Sequence, residues 1–379
     1  MISNIKKNLG AIKHNYGGWT TKRKILVIES DDWGNVRIPN KASYNALIDN
    51  GIPANKCPFL SVDNFEQIDD FQALFSTMEQ IQTAFGKSPK ITANYIMANP
   101  DYKAIEESNF NEYKFITLKQ KLINENSLRD YQEQIAIGSK HNWFYPQLHG
   151  REHVNISLWM RFLKDNSPET RLAFNNQVFG VSTTISSEKR RSFLPALDFE
   201  NLDEFKAIIR PSLIEGQKLF EEFFGYYSKS FIAPNYTWDA NSEEVLSQNK
   251  VKFLQSSRSQ IIPVGAQSEQ GAAIRHKTGD KSKFNQTYLV RNAIFEPSTI
   301  PNKRKHLNDC LSQINIAFLL NKPAILSMHR LNFMGGLNAK NREENLSLFK
   351  ELIESVIKKY PKIEFLSSDE LGELIQDQK

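Results

Sequence analysis

Short apolar runs recur along the chain, and polar or amphipathic stretches separate them. The clearest run is KILVIES at residues 24–30, in which the apolar positions are continuous rather than alternating. Continuous hydrophobicity is typical of strands that are covered on both faces, as in a parallel sheet or barrel. The other predicted strands span residues 90–98, 133–138, 229–234, 251–257, 287–295, 323–329 and 362–368.

Amphipathic helices are predicted between these strands. Residues 341–360 open with Asn341 and Glu344 at capping-box spacing and then repeat apolar residues on one face. Further helices are predicted over residues 306–321 and from Ser367 to the C-terminus. The alternation of strands and helices in the C-terminal half indicates a parallel sheet with outer helices.

The chain of 379 residues is long for one domain, but an α/β barrel can reach this length. Segments 34–89 and 154–228 are longer than a crossover between strands requires. We therefore expect a single domain over residues 1–379 with insertions at these two places.

The composition is that of an ordinary globular protein, with 40% hydrophobic and 24% charged residues. The net charge of +5 is weak for this length and the basic runs are short, which argues against a nucleic-acid partner. Cys57 and Cys310 lie far apart, which disfavours a disulfide scaffold or a structural zinc site. Without a secretory signal or an apolar run of about 20 residues, we expect a cytoplasmic protein that does not bind membranes.

The first candidate for chemistry is SDDWG, residues 30–34, at the end of the first predicted strand. Two adjacent carboxylates there must be paired, solvated or bound to metal. In a barrel, the C-terminal ends of the strands face the active site. Successive strand residues point in different directions, so Asp31 and Asp32 can have different roles. The alternative is a solvated turn, in which paired acids are common.

The second candidate is HGREH, residues 149–153. His149 and His153 would share one face if the backbone were helical, and would then reach a common ion. Two imidazoles and one carboxylate suit Zn²⁺ or another divalent transition metal. The alternative is a surface turn that holds two unrelated histidines.

The third candidate is His329, which ends the predicted strand over residues 323–329. A lone histidine at such a place is more often a core or loop residue than a catalytic one. However, all three candidates lie at a strand end or just after one, and this shared placement groups them at one edge of the sheet.

In this order, the motifs resemble the polysaccharide deacetylase superfamily, whose members are metal-dependent carbohydrate deacetylases. The resemblance covers residues 24–335 and implies an α/β fold, a distorted (β/α)7-type barrel with helical and loop insertions. SDDWG is similar to the first motif of the family and HGREH to the second. FIAPNYTW, residues 231–238, is similar to the third motif, and LSMH, residues 326–329, to the last.

The resemblance implies a role for each motif. Asp31 would be the general base and His329 the general acid. The ligands of a divalent metal, most simply Zn²⁺, would be Asp32, His149 and His153. A backbone N–H near Asn235 would stabilise the oxyanion.

The chain also departs from the family pattern. Trp33 stands between the acids and Gly34, and Ile232 occupies the place of an arginine that orients the base. Arg291 lies in the apolar run 287–295 and needs a partner there, and Asp31 is the candidate. The alternative places Arg291 on an edge strand facing solvent. These departures indicate a divergent branch with a substrate other than chitin or peptidoglycan.

Carbohydrate sites commonly present aromatic walls to the C–H faces of sugars. Four aromatic residues next to the motifs are candidates, or else ordinary core residues: Trp33, Trp143, Tyr236 and Trp238. Arg151 and Arg330 would add positive charge near the substrate, unless they pair with Glu152 or Glu29.

The sequence therefore predicts a metal-dependent hydrolase that removes an acetyl group from a carbohydrate. One alternative is hydrolysis of a glycosidic or another C–N bond, and a glycosidase would need a second carboxylate. The candidates for that carboxylate are Glu29, Glu152 and Glu296. The other alternative is a homologue that binds glycans without turnover.

Overall fold

Strands and helices alternate along the chain. The computed structural model describes residues 9–181, 192–267 and 272–378. The strands are β1 (Ile25–Trp33), β2 (Ile91–Ile96), β3 (Ala98–Pro100), β4 (Phe115–Thr117), β5 (Phe144–Gly150), β6 (Ser230–Ile232), β7 (Phe253–Ser256), β8 (Ser259–Ile261), β9 (Ala273–Arg275), β10 (Thr287–Val290), β11 (Ala293–Ile294), β12 (Ala324–His329) and β13 (Glu364–Leu366).

Most of the helices lie outside the sheet. They are α1 (Lys41–Asp49), α2 (Pro58–Val62), α3 (Ile68–Phe85), α4 (Tyr102–Glu107), α5 (Leu118–Asn124), α6 (Leu128–Lys140), α7 (Ile156–Lys164), α8 (Pro168–Asn175), α9 (Leu202–Glu204), α10 (Arg210–Phe224), α11 (Ala240–Gln248), α12 (Lys303–Leu319), α13 (Ala339–Lys359) and α14 (Ser368–Asp377). In the described part of the chain, none of them combines the length and the apolar character needed to cross a membrane.

The main sheet is a closed, distorted barrel. Its strands pair in parallel in the order β10-β7-β6-β5-β2-β1-β12-β11. Only Arg291 and Asn292 separate β10 from β11, so one continuous segment pairs with both edges of the sheet. Counting β10 and β11 as one position, seven strand positions close the barrel. The (β/α)7-type fold predicted from the sequence is confirmed.

The lower part of the barrel interior is apolar. Ile25 and Val27 of β1 cluster with Phe253, Leu289 and Ile325, which lie on three other strands around the barrel. Side chains from strands on different sides can meet only across the interior. Two residues of α14 close this end of the barrel: Leu371 and Ile375.

Toward the C-terminal ends of the strands, the side chains inside the barrel are polar. Continuing the alternation of β1, Glu29 and Asp31 follow Val27 on the inner face. Asn94 of β2 bonds to Asp31 and also to Gln255 of β7, at 2.8 Å in each case. The barrel therefore has an apolar floor and a polar upper half, and the polar half supports the candidate active site.

One predicted strand is wrong. Residues 133–138 lie within helix α6, which buries Tyr131, Gln134 and Gly138 at helical spacing. The strand at this point of the barrel is β5, which the sequence pattern did not reveal. Its inward side chain Gln147 is polar and bonds to Ser230, because the barrel interior is polar here.

The helix boundaries also differ in detail. Helix α13 begins at Ala339, and the side chain of Asn341 donates to the carbonyl oxygens of Leu331 and Met334, so the expected capping box at Asn341 is wrong. Helix α12 begins at Lys303 because the side chain of Asn302 caps it. The predicted start of the last helix is confirmed by the capping box of Ser367 and Glu370.

The two long segments fold mainly as helices. Segment 34–89 contains α1, α2 and α3, and the described part of segment 154–228 contains α7 to α10. Residues 182–191 of the second segment lie outside the described residues. That both are insertions on a single domain stays a prediction.

Candidate active site

A β-bulge at the end of β1 presents both aspartates to the same region. The register between β1 and β2 shifts between Ser30 and Trp33. Asp32 has a φ of 73°, in the left-handed region that a non-glycine residue occupies at a cost of about 1–3 kcal/mol. Bulges and such strain are frequent beside functional sites because they redirect side chains.

Gly34 follows the bulge, and a residue with a side chain would not fit at this position. Its φ is 79°, and an added Cβ would lie 2.3 Å from the carbonyl oxygen of Ile96. Its N–H donates to Glu66 at 2.9 Å. The chain therefore turns at Gly34, and Trp33 occupies the position between the two aspartates and this turn.

His149 and His153 meet without a helix. His149 is the next to last residue of β5, and residues 151–155 form an irregular turn. Gly150, the last residue of this strand, has a φ of 144°, which favours glycine. The imidazole centroids lie 5.1 Å apart. The expectation of a shared helical face is wrong, but a strand end followed by a tight turn brings the rings together.

Asp32, His149 and His153 form a compact, buried donor set. Oδ1 of Asp32 lies 3.5 Å from Nε2 of His149 and 3.3 Å from Nε2 of His153. One donor atom from each residue falls within 4.8 Å of the others. Oδ1 of Asp32 accepts no hydrogen bond from any residue that the structure describes.

This donor set fits a divalent cation. Bonds of about 2.1 Å in tetrahedral geometry place neighbouring ligand atoms about 3.4 Å apart, which matches the two distances from Asp32. A buried carboxylate oxygen without a hydrogen bond is costly unless a cation compensates it. Two imidazoles and one carboxylate leave further coordination positions open for water or substrate, as in catalytic zinc sites.

The orientation of both imidazoles agrees with this fit. Nδ1 of His149 lies 2.8 Å from the carbonyl oxygen of Ile232, which can only accept, so Nδ1 carries a proton and Nε2 is the ring nitrogen that faces Asp32. Burial lowers the pKa of His153 to about 3, although the charge of Asp32 opposes this. Burial therefore favours the neutral, metal-binding form of His153.

Asp31 is held by Arg291, which lies between β10 and β11 and is separated from β1 by β12 alone. NH1 and NH2 of Arg291 donate to Oδ2 and Oδ1 of Asp31, each at 2.6 Å. Burial alone would raise the pKa of Asp31, but the charge and hydrogen bonds of Arg291 lower it to about 2. Arg291 is only 4% exposed, which excludes the alternative of a solvent-facing edge position. Arg291 is thus the partner of Asp31, as the sequence predicts.

Arg291 also serves a second carboxylate. Its Nε donates to Oε2 of Glu29 at 2.6 Å, and Oε1 of Glu29 accepts from the hydroxyl of Ser368 at 2.7 Å. Burial raises the pKa of Glu29, although the guanidinium opposes this. The pKa values of the two carboxylates that share Arg291 therefore shift in opposite directions, and the downward shift of Asp31 favours its ionised form.

His329 lies beside Asp31 at the end of β12. Its Nε2 is 3.9 Å from Oδ2 of Asp31, and its Nδ1 is 2.7 Å from Oε1 of Glu296. Burial alone would lower the pKa of His329, but the charge and hydrogen bond of Glu296 raise it to about 9. His329 is therefore protonated at neutral pH and can donate a proton from Nε2.

The third motif forms a strained turn beside this pair. Asn235 and Tyr236 both have a φ of 53°, two successive residues in the left-handed region. The hydroxyl of Tyr236 accepts from NH1 of Arg291 at 3.1 Å. This contact ties the turn to the partner of Asp31, and the turn is where the resemblance expects the oxyanion donor.

The structure corrects the expectation of a substrate-binding wall for three of the four aromatic residues. Trp33 is fully buried and packs against Phe71 and Phe144, because the bulge directs its ring into the outer core. Trp238 and Trp143 are 2% and 4% exposed, and their indole N–H groups donate to Glu243 and Gln82. Of the four, only Tyr236 lies at the site.

The structure also corrects the expectation that Arg151 and Arg330 add positive charge near the substrate. Arg151 pairs with Glu152 and Glu215, each at 2.5 Å, so its charge is neutralised away from the site. Arg330 is fully buried and pairs with Asp63 and Glu66. Neither provides free positive charge for a substrate.

Several supporting residues escaped the sequence analysis. Arg37 donates to Oδ2 of Asp32 at 3.1 Å, and Glu296 binds His329. The ring of the half-buried Phe59 lies edge-on to His329, with centroids 5.2 Å apart. The order of residues gives no signal for these contacts except that Arg37 lies three residues after the end of the first motif.

Comparisons with known proteins give similarities of fold only. No protein-family model matches the sequence, and no curated protein matches it. The structure is similar to a protein described as a glycoside hydrolase/deacetylase from Parabacteroides distasonis, with a TM-score of 0.48, 8% identity and coverage of 95% of this chain and 72% of that one.

Two further solved structures are similar at the same level. One is described as a polysaccharide deacetylase from Mycobacterium smegmatis, with a TM-score of 0.44, 10% identity and coverage of 96% and 93% of the two chains. The other is a GH57 branching enzyme from Thermococcus kodakaraensis, with a TM-score of 0.42, 11% identity and coverage of 91% and 70%. No residue role follows from these similarities.

Proposed function

We propose that this protein is a metal-dependent hydrolase that removes an acetyl group from a carbohydrate. The observation that carries the proposal is the meeting of three buried donors, Asp32, His149 and His153, next to Asp31 and His329. Five polar side chains from three strand ends and one turn converge there, in the chemical types that acyl-group hydrolysis needs.

The donor set Asp32, His149 and His153 would hold the cation. A bound Zn²⁺ or similar ion would supply Lewis acidity, which polarises the acyl carbonyl and acidifies a water molecule. Nδ1 of His149 is fixed by the carbonyl oxygen of Ile232, so its Nε2 stays directed at the ion position without a change of rotamer.

Proton transfer would be divided between Asp31 and His329. Asp31, kept ionised by Arg291, takes the proton from the attacking water. His329, kept protonated by Glu296, gives a proton to the leaving amine or alcohol. A backbone N–H near Asn235 would stabilise the charge that develops on the acyl oxygen. The opposite pKa shifts of the two groups suit an acid and a base.

The contacts of the carboxylates argue against a glycosidase. That mechanism needs two carboxyl groups that flank the scissile bond. Each expected second acid is already engaged: Glu29 binds Arg291, Glu152 binds Arg151, and Glu296 binds His329. Arg291 binds both oxygens of Asp31, so Asp31 is not free to act as one of two carboxyl groups that flank a glycosidic bond. Deacylation therefore explains these residues better than glycoside hydrolysis.

The carbohydrate part of the proposal rests on the motifs. SDDWG, HGREH, FIAPNYTW and LSMH follow one another as in carbohydrate deacetylases. Ile232 stands where the resemblance expects an arginine, and Arg291, between β10 and β11, supplies a guanidinium to Asp31 instead.

The test is acetate release by the purified protein from acetylated oligosaccharides, with and without a chelator, together with its metal content. We expect acetate release that stops on chelation and returns with Zn²⁺. Asp31→Asn is expected to abolish turnover while the cation stays bound. The matched control is Asp49→Asn, at an exposed helix residue, which should behave as the unchanged protein.

Each alternative gives a different result in this test. Release of reducing ends without acetate would indicate a glycosidase. Tight glycan binding without any product would indicate an inactive branch. Acetate release that is unaffected by chelation would contradict the metal-dependent mechanism.

A further inference from the structure

A chain of alternating charges leads from Asp32 into the segment that follows β1. NH2 of Arg37 donates to Oδ2 of Asp32 at 3.1 Å, and Nε of Arg37 donates to Oδ2 of Asp63 at 3.2 Å. Oδ1 of Asp63 accepts from Nε of Arg330 at 3.1 Å. All four side chains are at most 4% exposed, so water does not screen these contacts.

The two carboxylate oxygens of Asp32 have different partners. Arg37 engages Oδ2, while Oδ1 faces the Nε2 atoms of His149 and His153. The guanidinium is itself fixed along two directions, because Asp63 holds its Nε. Arginine can do this with its planar fork, whereas lysine presents only a point charge on a flexible stem.

We propose that Arg37 is a positioning residue for the metal centre, which fixes Asp32 so that it presents a single oxygen to the cation. The inference rests on the proposed function, since it concerns the same donor set. Hydrogen-bond partners of metal ligands orient those ligands, and their loss typically weakens metal affinity about 10- to 100-fold. Keeping one carboxylate oxygen off the cation leaves a coordination position for water or substrate.

A purely electrostatic role for Arg37 predicts the opposite sign. A positive charge next to Asp32 repels a cation, so its removal would tighten cation binding if charge were all that mattered. Loss of positioning instead weakens binding, whether or not the charge is retained. The direction of the change therefore separates the two roles.

The experiment is titration of the purified full-length protein with Co²⁺, followed by its visible absorption and by competition with a chelator. The variants are Arg37→Lys, which keeps the charge, and Arg37→Gln, which removes it. The matched control is Arg342→Lys, since Arg342 forms an ion pair with Asp70 outside the candidate site. We expect about 10-fold weaker Co²⁺ binding in both Arg37 variants. We also expect altered band intensity as Asp32 turns to bind through both oxygens, and no change in the control.

Unfolding followed by circular dichroism shows which variants are folded. If Arg37→Lys does not fold, Arg37→Gln carries the test, because the sign of its change is decisive. Tighter binding by folded Arg37→Gln, or binding and spectra of Arg37→Lys identical to those of the unchanged protein, would overturn the inference. An unchanged protein that binds no Co²⁺ would overturn the metal centre itself, and this is seen before any variant is compared.

Discussion

Arg291 binds both oxygens of Asp31 through a two-pronged contact in which each N–O distance is 2.6 Å. The contact depends on how the barrel closes. Arg291 and Asn292 are the residues at which the chain changes partner from β7 to β12. At this change of partner, the backbone N–H of Arg291 bonds to the carbonyl oxygen of Ser256, while its side chain reaches past β12 to Asp31 of β1. The irregularity that closes the barrel also supplies the partner of the proposed base.

Replacement of Arg291 by Lys should remove most of the activity. A lysine cannot donate to both oxygens of Asp31 in a fixed geometry, so the base loses its orientation. We expect kcat/KM for acetate release to fall by about 100-fold or more, the range of a general acid–base contribution. Cation affinity should stay the same, because Arg291 does not contact the donor set. A fall in cation affinity equal to the fall in activity would contradict this role.

The pH dependence should report on His329. Its pKa of about 9 means that the general acid is protonated at neutral pH and loses its proton above about pH 9. We therefore expect kcat/KM to decline on the alkaline side near pH 9. Glu296→Gln removes the charge that raises the pKa of His329, so the alkaline decline should move to lower pH. The measurement is the pH profile of kcat/KM for both proteins.

The control for this shift is Glu344→Gln, which removes an exposed ion pair with Lys303. Its pH profile should match that of the unchanged protein.

The raised pKa of His329 also affects the stability of the fold. Because the pKa of His329 in the folded protein exceeds its ordinary value of 6.5, the ion pair with Glu296 stabilises fully below about pH 6.5. This contribution is lost as the pH rises through about 9. In the kinetic test, a decline of kcat/KM at the same alkaline pH in Glu296→Gln and in the unchanged protein would refute His329 as the general acid.

Removal of one imidazole should empty the metal centre. We expect His149→Ala to retain no stoichiometric cation after dialysis, because three protein ligands are the usual minimum for a catalytic zinc site. The variant should remain folded, since the side chain makes one hydrogen bond to the carbonyl oxygen of Ile232. Metal content and thermal unfolding measure both results. His141→Ala, at an exposed histidine stacked on Trp143, is the matched control. Full metal content in His149→Ala would remove His149 from the site.

The strand-end residues were the predictable part of the site. Asp31, Asp32 and His329 each follow a continuous apolar run, and parallel strands gather their C-terminal ends at one edge of a barrel. That rule depends only on local pattern and on fold class. It therefore places these three side chains near one another without knowledge of the loops.

The partners of Arg37 and of His329 were not predictable in this way. Arg37 and Asp63 meet only because the segment after β1 folds back on itself, and Glu296 reaches His329 across 33 positions. Strand β5 escaped detection because a polar barrel interior removes the apolar pattern on which strand prediction relies. Tertiary packing, rather than local propensity, decides each of these features.

Trp33 tests the distinction between a core residue and a substrate contact. Its ring packs on Phe71 at a centroid distance of 5.4 Å, and its indole N–H donates to Ser30 at 3.0 Å. We expect Trp33→Ala to lower the free energy of unfolding by about 3–5 kcal/mol, as for other buried aromatics. Trp33→Phe should lose less stability and leave KM unchanged, because the ring does not reach a substrate. Denaturant unfolding and steady-state kinetics measure the two effects. A raised KM in Trp33→Phe with unchanged stability would restore Trp33 as a wall of the binding site.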